Sequence, residues 1–180
     1  MRTKAILATG LLAFTLTFFP DQPVLAAAFV PGEILVEENG GSSVQRYSAT
    51  GTLLQTFTGT GTNWTGLALT PDGNLVTSHE NPSMGLDIFS PDGTQLTSFA
   101  AAGNGFAQDV SVFPNGTLAL SAYSQNTVQF WNQAGVQGTT VALPGLANPV
   151  GSTVGSDGIL YVAGLGTNNL ARVRDRKSVV

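Results

Sequence analysis

Cysteine is absent from the 180-residue chain, and histidine occurs only once, as His79. The absence of cysteine excludes disulfide bonds, zinc–thiolate sites and a cysteine nucleophile. A single histidine excludes any metal site or catalytic mechanism that takes two histidines from one copy of the chain. Several kinds of covalent support and site chemistry are therefore ruled out before any motif is considered.

Charged residues are also scarce, at 10% of the chain, where an average soluble domain has about a quarter. Six of the seven basic residues lie near the two ends, so Arg46 is the only cation between Ala5 and Ala171. Nucleic-acid binding needs clustered cations that neutralise phosphates. The composition therefore predicts no nucleic-acid partner, whereas a hydrophobic content of 42% favours a folded chain.

The first 26 residues have the organisation of a secretory signal peptide. Arg2 and Lys4 precede an apolar run over residues 5–19, and small residues suited to cleavage follow at Ala26–Ala28. A retained membrane anchor is the alternative, but the run is shorter than the ~20 residues that a span needs. We therefore expect residues 1–26 to be removed, leaving a secreted or periplasmic chain without a membrane span.

The most informative feature that is present is a repeat of about 42 residues, marked by two families of glycine-containing turns. Glycines of the first family stand at positions 32, 73, 116 and 158, and those of the second at 51, 93 and 135. Short runs rich in Val, Ile, Thr and aromatic residues lie between them, as in half-buried strands. Helical periodicity is absent from the mature chain. The repeat therefore predicts an all-β fold with four short strands per unit.

Four short strands in each ~42-residue repeat are typical of a β-propeller blade. Residues 66–76, Gly-Leu-Ala-Leu-Thr-Pro-Asp-Gly-Asn-Leu-Val, and residues 88–93, Ile-Phe-Ser-Pro-Asp-Gly, resemble the repeat of NHL-type propellers. The resemblance extends over about residues 32–174 and implies four-stranded antiparallel blades. A β-solenoid or sandwich is the alternative, although sandwich strands would not repeat their turn residues at a fixed step.

The repeat also makes the length informative. Residues 27–174 hold about three and a half blades, and propellers usually close with four to eight. We therefore expect an incomplete ring, and favour a truncated chain over several copies that complete a ring together. Residues 175–180, Asp-Arg-Lys-Ser-Val-Val, break the preceding composition and resemble the translation of a sequencing-library adapter. We interpret them as a non-native read-through tail, with a genuine basic tail as the alternative.

Function in propellers usually gathers at one mouth of the central channel, where the innermost strands begin. If the innermost strand precedes the first turn of each repeat, the candidate ligand contacts are Asn63, Thr65, Gln108 and Asn148. Asp109 stands where the sister repeats have Gly66 and Gly151, so the strand itself does not require a carboxylate there. Because Ca²⁺ prefers oxygen ligands, Asp109 is the candidate metal ligand, with an ordinary hydrogen-bonded aspartate as the alternative.

These features favour an exported propeller that acts as a non-enzymatic binding or scaffold domain for a protein or glycan. Calcium-dependent lactonases of the gluconolactonase type resemble the chain in its Pro-Asp-Gly repeats. That resemblance implies the alternative, a Ca²⁺-dependent hydrolase of lactones or related esters that uses Asp109. A third possibility is a bacterial surface protein with a sorting signal beyond these residues. A propeller lyase that inactivates streptogramins is also similar in repeat but needs a channel histidine, and we expect His79 on an exposed outer connection.

Other polar and aromatic groups are assigned structural roles. The glutamates of the first blade are expected to form a solvated edge, namely Glu33, Glu37 and Glu38. The glycine-rich segment 59–62 opens no predicted helix, so it makes no phosphate-binding loop. Four aromatic residues are expected to pack between blades: Trp64, Phe106, Tyr123 and Trp131.

Overall fold

The computed structural model describes residues 28–81, 83–101 and 105–174. The predicted signal peptide, residues 1–26, and the predicted read-through tail, residues 175–180, lie outside the described residues. The described ranges contain fourteen β-strands in four antiparallel sheets, together with one short 3₁₀ turn. They contain no helix with the length and apolarity that crossing a membrane requires. The predicted all-β class is confirmed.

Each sheet is one blade, and its strands pair in the order in which they occur in the chain. Blade 1 consists of β1 (Ile34–Glu37), β2 (Ser43–Tyr47) and β3 (Leu53–Thr58). Blade 2 consists of β4 (Thr62–Leu69), β5 (Leu75–Asn81), β6 (Gly85–Phe89) and β7 (Gln95–Ala100). Blade 3 consists of β8 (Ala107–Val112), β9 (Leu118–Ala122), β10 (Thr127–Trp131) and β11 (Gln137–Ala142). Blade 4 consists of β12 (Pro149–Val154), β13 (Ile159–Gly164) and β14 (Asn169–Arg174).

The repeated glycines are explained by the turns that join the first and second strands of the blades. Gly73, Gly116 and Gly158 have φ values of 85°, 83° and 71°. A β-carbon is strained in this left-handed region, and glycine is not. The amide of each glycine donates to the carbonyl oxygen three residues earlier, at 2.9 to 3.0 Å. The fixed step of the glycines therefore follows from a backbone conformation that recurs at the same point of successive blades.

The first strand of each complete blade is its innermost strand. β4 lies against β8 of the next blade, and β8 lies in turn against β12. Blade 1 begins one strand later, because β1 holds the pairing position that β5 and β9 hold in blades 2 and 3. Blade 4 ends at β14, which holds the position of β6 and β10. The described residues thus form an open arc equivalent to three and a half blades, as the repeat predicts.

Apolar side chains are buried in three clusters, one at each boundary between consecutive blades. The cluster between blades 1 and 2 contains Val44, Phe57, Trp64, Leu75 and Phe89. The cluster between blades 2 and 3 includes Val76, Leu86, Ile88, Leu118, Leu120 and Trp131. The cluster between blades 3 and 4 includes Phe113, Val128, Phe130, Leu160, Val162 and Val173. Because successive side chains of a strand face opposite sides, blades 2 and 3 each contribute to two clusters.

The aromatic residues expected between blades only partly lie there. Trp64 is fully buried, with its ring centroid 5.6 Å from that of Phe89. Trp131 is buried against Phe99, at 5.1 Å between centroids. The prediction is wrong for Phe106, which is 51% exposed. Phe106 lies just before the first residue of β8, the innermost strand of blade 3. Its side chain is therefore outside the apolar layer that packs between the blades.

Candidate functional site on the innermost strands

The innermost strands are aligned with one another by their pairing to the second strand of each blade. Gly66, Asp109 and Gly151 each hold the first paired position after a register irregularity. Their equivalence in the sequence repeat is therefore an equivalence in the fold. A carboxylate occupies this position only in blade 3.

Asp109 connects blades 3 and 4. Its Oδ2 atom accepts hydrogen bonds from the backbone amide of Ser152 at 2.6 Å and from the Ser152 hydroxyl at 2.7 Å. The Ser111 hydroxyl lies 2.8 Å from Ser152 Oγ and donates to it, because the single Ser152 hydroxyl proton is directed to Asp109. Burial raises the pKa of Asp109, and the hydrogen bonds from Ser152 oppose that rise. The side chain that the sequence singles out is thus part of a hydrogen-bonded bridge between innermost strands.

Asp109 also lies directly against blade 2. A β-carbon on Gly66 would stand 2.6 Å from the Asp109 Cα atom and 2.8 Å from its Oδ1 atom. Real β-carbons essentially never approach other atoms this closely. Glycine at position 66 is therefore required by the close approach of β4 and β8, and Asp109 contacts the blades on both sides of it.

Glu37 is a second carboxylate on this side of the arc, and the expectation that it lies on a solvated edge is wrong. Its Oε1 atom is buried and has no hydrogen-bond partner among the described residues. Desolvation raises the pKa of Glu37 to about 7; the Gly66 backbone amide opposes the rise, and the charge of Asp109 adds to it. The sequence repeat could have indicated this location of Glu37, because Glu37 holds the position of Ser78 in blade 2 and of Ser121 in blade 3.

The other two glutamates of blade 1 differ from each other. Glu33 is paired with Arg46 at 2.7 Å, and both side chains are at least nine-tenths buried, so the expected solvated edge is wrong here too. The Arg46 guanidinium also lies 4.6 Å from the centroid of the Phe29 ring. Glu38 is exposed, as expected. Arg46 is therefore held by contacts within blade 1 and does not face a ligand channel.

Thr65 and Gln108 make hydrogen bonds between blades 2 and 3. The Thr65 hydroxyl donates to the carbonyl oxygen of Ala107 at 2.8 Å. The Gln108 amide donates to Glu80 Oε1 at 2.7 Å. Both candidate ligand contacts therefore have partners within the fold.

Asn63 and Asn148 stand at the start of innermost strands, where the sequence places them. Both have φ near +54°, a left-handed conformation that asparagine tolerates better than most residues. The backbone N–H group of Asn63 donates to the backbone carbonyl oxygen of Gly41 at 2.8 Å. The conformation of the chain as it enters each innermost strand is thus sufficient to explain these two asparagines.

An open groove of about 270 Å³ runs along the innermost strands of blades 2, 3 and 4. Its walls are residues 67–69, 109–112 and 152–154. The polar side chains in this lining are Asp109, Ser111, Ser152 and Thr153. The groove therefore presents one carboxylate and three hydroxyl groups beside apolar side chains.

His79 is buried, and the expectation of an exposed outer connection is wrong. It is 3% exposed, because β5 continues to Asn81 and places His79 opposite Trp64 of β4. Its Nε2 atom lies 3.9 Å from Oδ1 of Asp87, which is itself fully buried. Desolvation lowers the pKa of His79, and the charge of Asp87 opposes that effect.

Glycines enclose the pair formed by His79 and Asp87. The Gly61 amide donates to Asp87 at 3.1 Å, and a β-carbon on Gly61 would collide with the imidazole. A β-carbon on Gly85 would stand 2.6 Å from His79 Nε2. The glycine-rich segment 59–62 thus closes over a buried polar pair. In the described ranges, no three His, Asp or Glu side chains assemble into a metal-holding group.

Solved structures that resemble the chain are β-propellers. A streptogramin B lyase matches with a TM-score of 0.71 and 20% identity, over 80% of this chain and 48% of that one. The virginiamycin B lyase of Staphylococcus aureus matches with a TM-score of 0.70 and 18% identity, over 79% of this chain and 49% of that one. The WD40 propeller domain of Doa1 matches with a TM-score of 0.64 and 17% identity, over 81% and 48%.

These likenesses identify the fold, and the class of protein is a β-propeller. The chain spans about half the length of the propellers that it matches. No protein-family model matches the sequence. No curated protein matches it either. The NHL-type subclass accordingly stays a prediction.

Proposed function

We propose that the chain is an exported β-propeller that binds a protein or glycan ligand without catalysing a reaction. The observation that carries this proposal is the groove on the innermost strands, about 270 Å³ in volume and open along blades 2 to 4. Ligand sites in proteins are typically concave and contain a few placed polar groups that fix the orientation of the ligand. Asp109, Ser111, Ser152 and Thr153 are the polar groups in this groove.

Of the two kinds of ligand, a glycan fits the groove better. The Thr153 hydroxyl can donate and accept hydrogen bonds, and the Asp109 carboxylate can accept them, as a polyhydroxylated ligand requires. The carboxylate disfavours anionic sugars, so neutral or amine-bearing glycans are the expected ligands.

Binding of the mature chain to an array of neutral, amine-bearing and acidic glycans tests the proposal. Thr153 is exposed in the groove, so Thr153→Gln is expected to fill it and weaken binding by roughly tenfold, which is about 1.4 kcal/mol. Thr139 is an equally exposed threonine on β11, and Thr139→Gln is the matched control. Equal binding by both variants would contradict a ligand in this groove. Turnover of lactone substrates by the purified protein would contradict a non-enzymatic role.

Export is tested separately on the cellular protein. The N-terminal run supports removal of residues 1–26. N-terminal sequencing of the protein recovered from the periplasm or the medium is expected to begin at Ala27, or at Phe29 if cleavage follows Ala28. Recovery of the intact chain in the membrane fraction would contradict export and would leave the binding test unaffected.

A Ca²⁺-dependent hydrolase of lactones or related esters is the second candidate function, with Asp109 as a metal ligand. It is favoured by Glu37, whose buried Oε1 atom lacks a hydrogen-bond partner among the described residues and which senses the charge of Asp109. However, Ca²⁺ takes six to eight oxygen ligands, and Asp109 Oδ2 already accepts two hydrogen bonds from Ser152. These residues do not form a complete ligand set, so we derive no reaction step from them.

A thermal melt with and without millimolar CaCl₂ separates the two candidates. The hydrolase candidate predicts a melting temperature that rises with Ca²⁺, since binding to the folded state stabilises it. It also predicts that the rise disappears in Asp109→Asn. An unchanged melting temperature in CaCl₂, with MgCl₂ as the ionic control, dismisses this candidate.

A further inference from the structure

The hydrogen bonds that link Ser111, Ser152 and Asp109 beside the groove share one direction. The Ser111 hydroxyl donates to Ser152 Oγ, and both the hydroxyl and the backbone amide of Ser152 donate to Asp109 Oδ2. A serine hydroxyl has a single proton to donate. Neither serine therefore has a hydroxyl proton left for a ligand, and what each can offer is a lone pair.

The groove is accordingly rich in hydrogen-bond acceptors and poor in donors. Among the described residues that line it, Thr153 has the remaining polar side chain, and its hydroxyl can still donate or accept. The same lining contains no lysine, arginine or histidine. A ligand group that fits these surroundings brings hydrogen-bond donors of its own.

The carboxylate of Asp109 also has no cation beside it within the described part of the chain. The ion pairs found there lie elsewhere, in blades 1 and 2. Hydrogen bonds from Ser152 and from the backbone of Val110 are the contacts that favour the charged form of Asp109. Glu37 adds to the negative potential, because its carboxyl group and that of Asp109 repel each other. The groove therefore has a negative charge without a counter-charge of its own.

The fold does not explain why this position is charged. Gly66 and Gly151 hold the same position in blades 2 and 4. An asparagine could accept the same two hydrogen bonds from Ser152 through its amide oxygen. What the carboxylate adds to the bridge is its charge, and that charge faces a groove that is open to a ligand.

We propose that Asp109 binds the protonated amine of an amino sugar in this groove. The inference rests on the proposed glycan-binding function and narrows it from neutral or amine-bearing glycans to amine-bearing ones. An ammonium group has three N–H donors and no acceptor, so it matches both the acceptor-rich lining and the unpaired charge. Hydrogen bonds between charged partners are also roughly twice as strong as those between neutral partners.

Two oligosaccharides that differ only at nitrogen test the inference, the tetramer of glucosamine and the tetramer of N-acetylglucosamine. Calorimetric titration of the purified chain at pH 7 measures the affinity for each. Acetylation removes the charge and leaves one N–H donor in place of three. The glucosamine tetramer is therefore expected to bind at least roughly tenfold more tightly, which is about 1.4 kcal/mol.

The variant Asp109→Asn tests whether the charge of Asp109 causes this preference. It removes the charge and keeps an oxygen that accepts hydrogen bonds from Ser152, so the preference for the glucosamine tetramer is expected to disappear. Asp92→Asn is the matched control, because Asp92 is exposed in the turn between β6 and β7 and lies outside the groove lining. This control is expected to keep the preference. A circular dichroism melt verifies that each variant is folded, and the wild-type comparison of the two sugars depends on neither variant.

The possible results separate this inference from the proposed function. Equal binding of the two tetramers to the wild type would overturn the inference and leave a glycan-binding groove in place. A preference that persists in Asp109→Asn would also overturn it. Absence of binding by both tetramers and by every glycan of the array would overturn the inference and the proposed function together. A lysine-containing peptide that binds more tightly than the glucosamine tetramer would assign the groove to a protein ligand instead.

Discussion

Two aspartates of this protein, the fully buried Asp87 and the half-buried Asp109, occupy contrasting surroundings. Asp87 lies between blades 1 and 2, is fully buried and is enclosed by glycines that leave no space beside it. Asp109 lies on blade 3, contacts blades 2 and 4, and borders an open groove. Both carboxylates accept hydrogen bonds from backbone amides. The comparison teaches that a backbone hydrogen bond to a carboxylate does not by itself distinguish a structural aspartate from a candidate site residue; access from outside is what separates these two side chains.

The largest expected effect tests the close approach of blades at Asp109. Gly66→Ala would place a methyl group 2.6 Å from the Asp109 Cα atom. Because a backbone atom cannot easily move away, this substitution is expected to cost about 3 kcal/mol of folding free energy. Gly151→Ala is the matched control at the equivalent position of blade 4, with nothing within 4 Å of its β-carbon. Urea unfolding measures both, and equal losses would contradict the proposed packing.

A smaller loss is expected where glycine closes over Asp87. The β-carbon of Gly61→Ala would collide with the His79 ring, and the expected cost is about 2 kcal/mol because a side chain yields more easily than backbone. The same urea experiment measures this loss. A variant as stable as the wild type would mean that the segment 59–62 does not enclose the pair.

The pH dependence of Glu37 is the third test. Its pKa is raised from 4.5 to about 7, so the folded chain holds a proton that the unfolded chain releases, and stability falls as pH rises from about 4.5 through 7. Since Glu37 is partly exposed, solvent screening limits the expected loss to about 1 kcal/mol. Glu37→Gln is expected to remove this loss and to be the more stable form at pH 8. Parallel pH profiles of the two proteins would contradict the assignment.

The smallest expected effect comes from His79 and has the opposite sign. Its pKa is lowered by desolvation, partly offset by Asp87, so the unfolded chain binds a proton before the folded chain does. Stability is therefore complete above the ordinary value of 6.5 and falls as pH decreases below it. His79→Gln, compared with the wild type between pH 8 and pH 5, is expected to flatten this decline. An unchanged decline would assign it to other groups.

The blades could be predicted from the sequence because each turn glycine marks a left-handed backbone conformation that favours glycine. Gly73, Gly116 and Gly158 have positive φ wherever the repeat places them, and the strands between them follow in register. The innermost position of β4, β8 and β12 entered only as a condition, and its support comes from the contacts of β8 with β4 and with β12. Local conformation and the repeat distance together are sufficient to define a blade.

The candidate site was only partly predictable, because the repeat says where a residue lies in its blade and not what the next blade places against it. Asp109 was found because it replaces glycine in a series of equivalent positions. Its partner Ser152 lies 43 residues away on another blade, and no local pattern links the two. Glu37 was misplaced for the same reason, since it lies against Gly66 of the next blade. His79 was misplaced because β5 continues to Asn81 and pairs His79 with Trp64 of its own blade.

The recurrence of one interface at every blade boundary has a consequence for how such a chain changes during evolution. Val44, Leu86 and Val128 occupy one structural position in successive repeats, and each packs against the blade that follows it. Duplication or deletion of one whole repeat therefore preserves every remaining boundary. A duplication of any other length shifts a strand against its neighbours. The gene segment that encodes one repeat is accordingly the unit in which this architecture can grow or shrink.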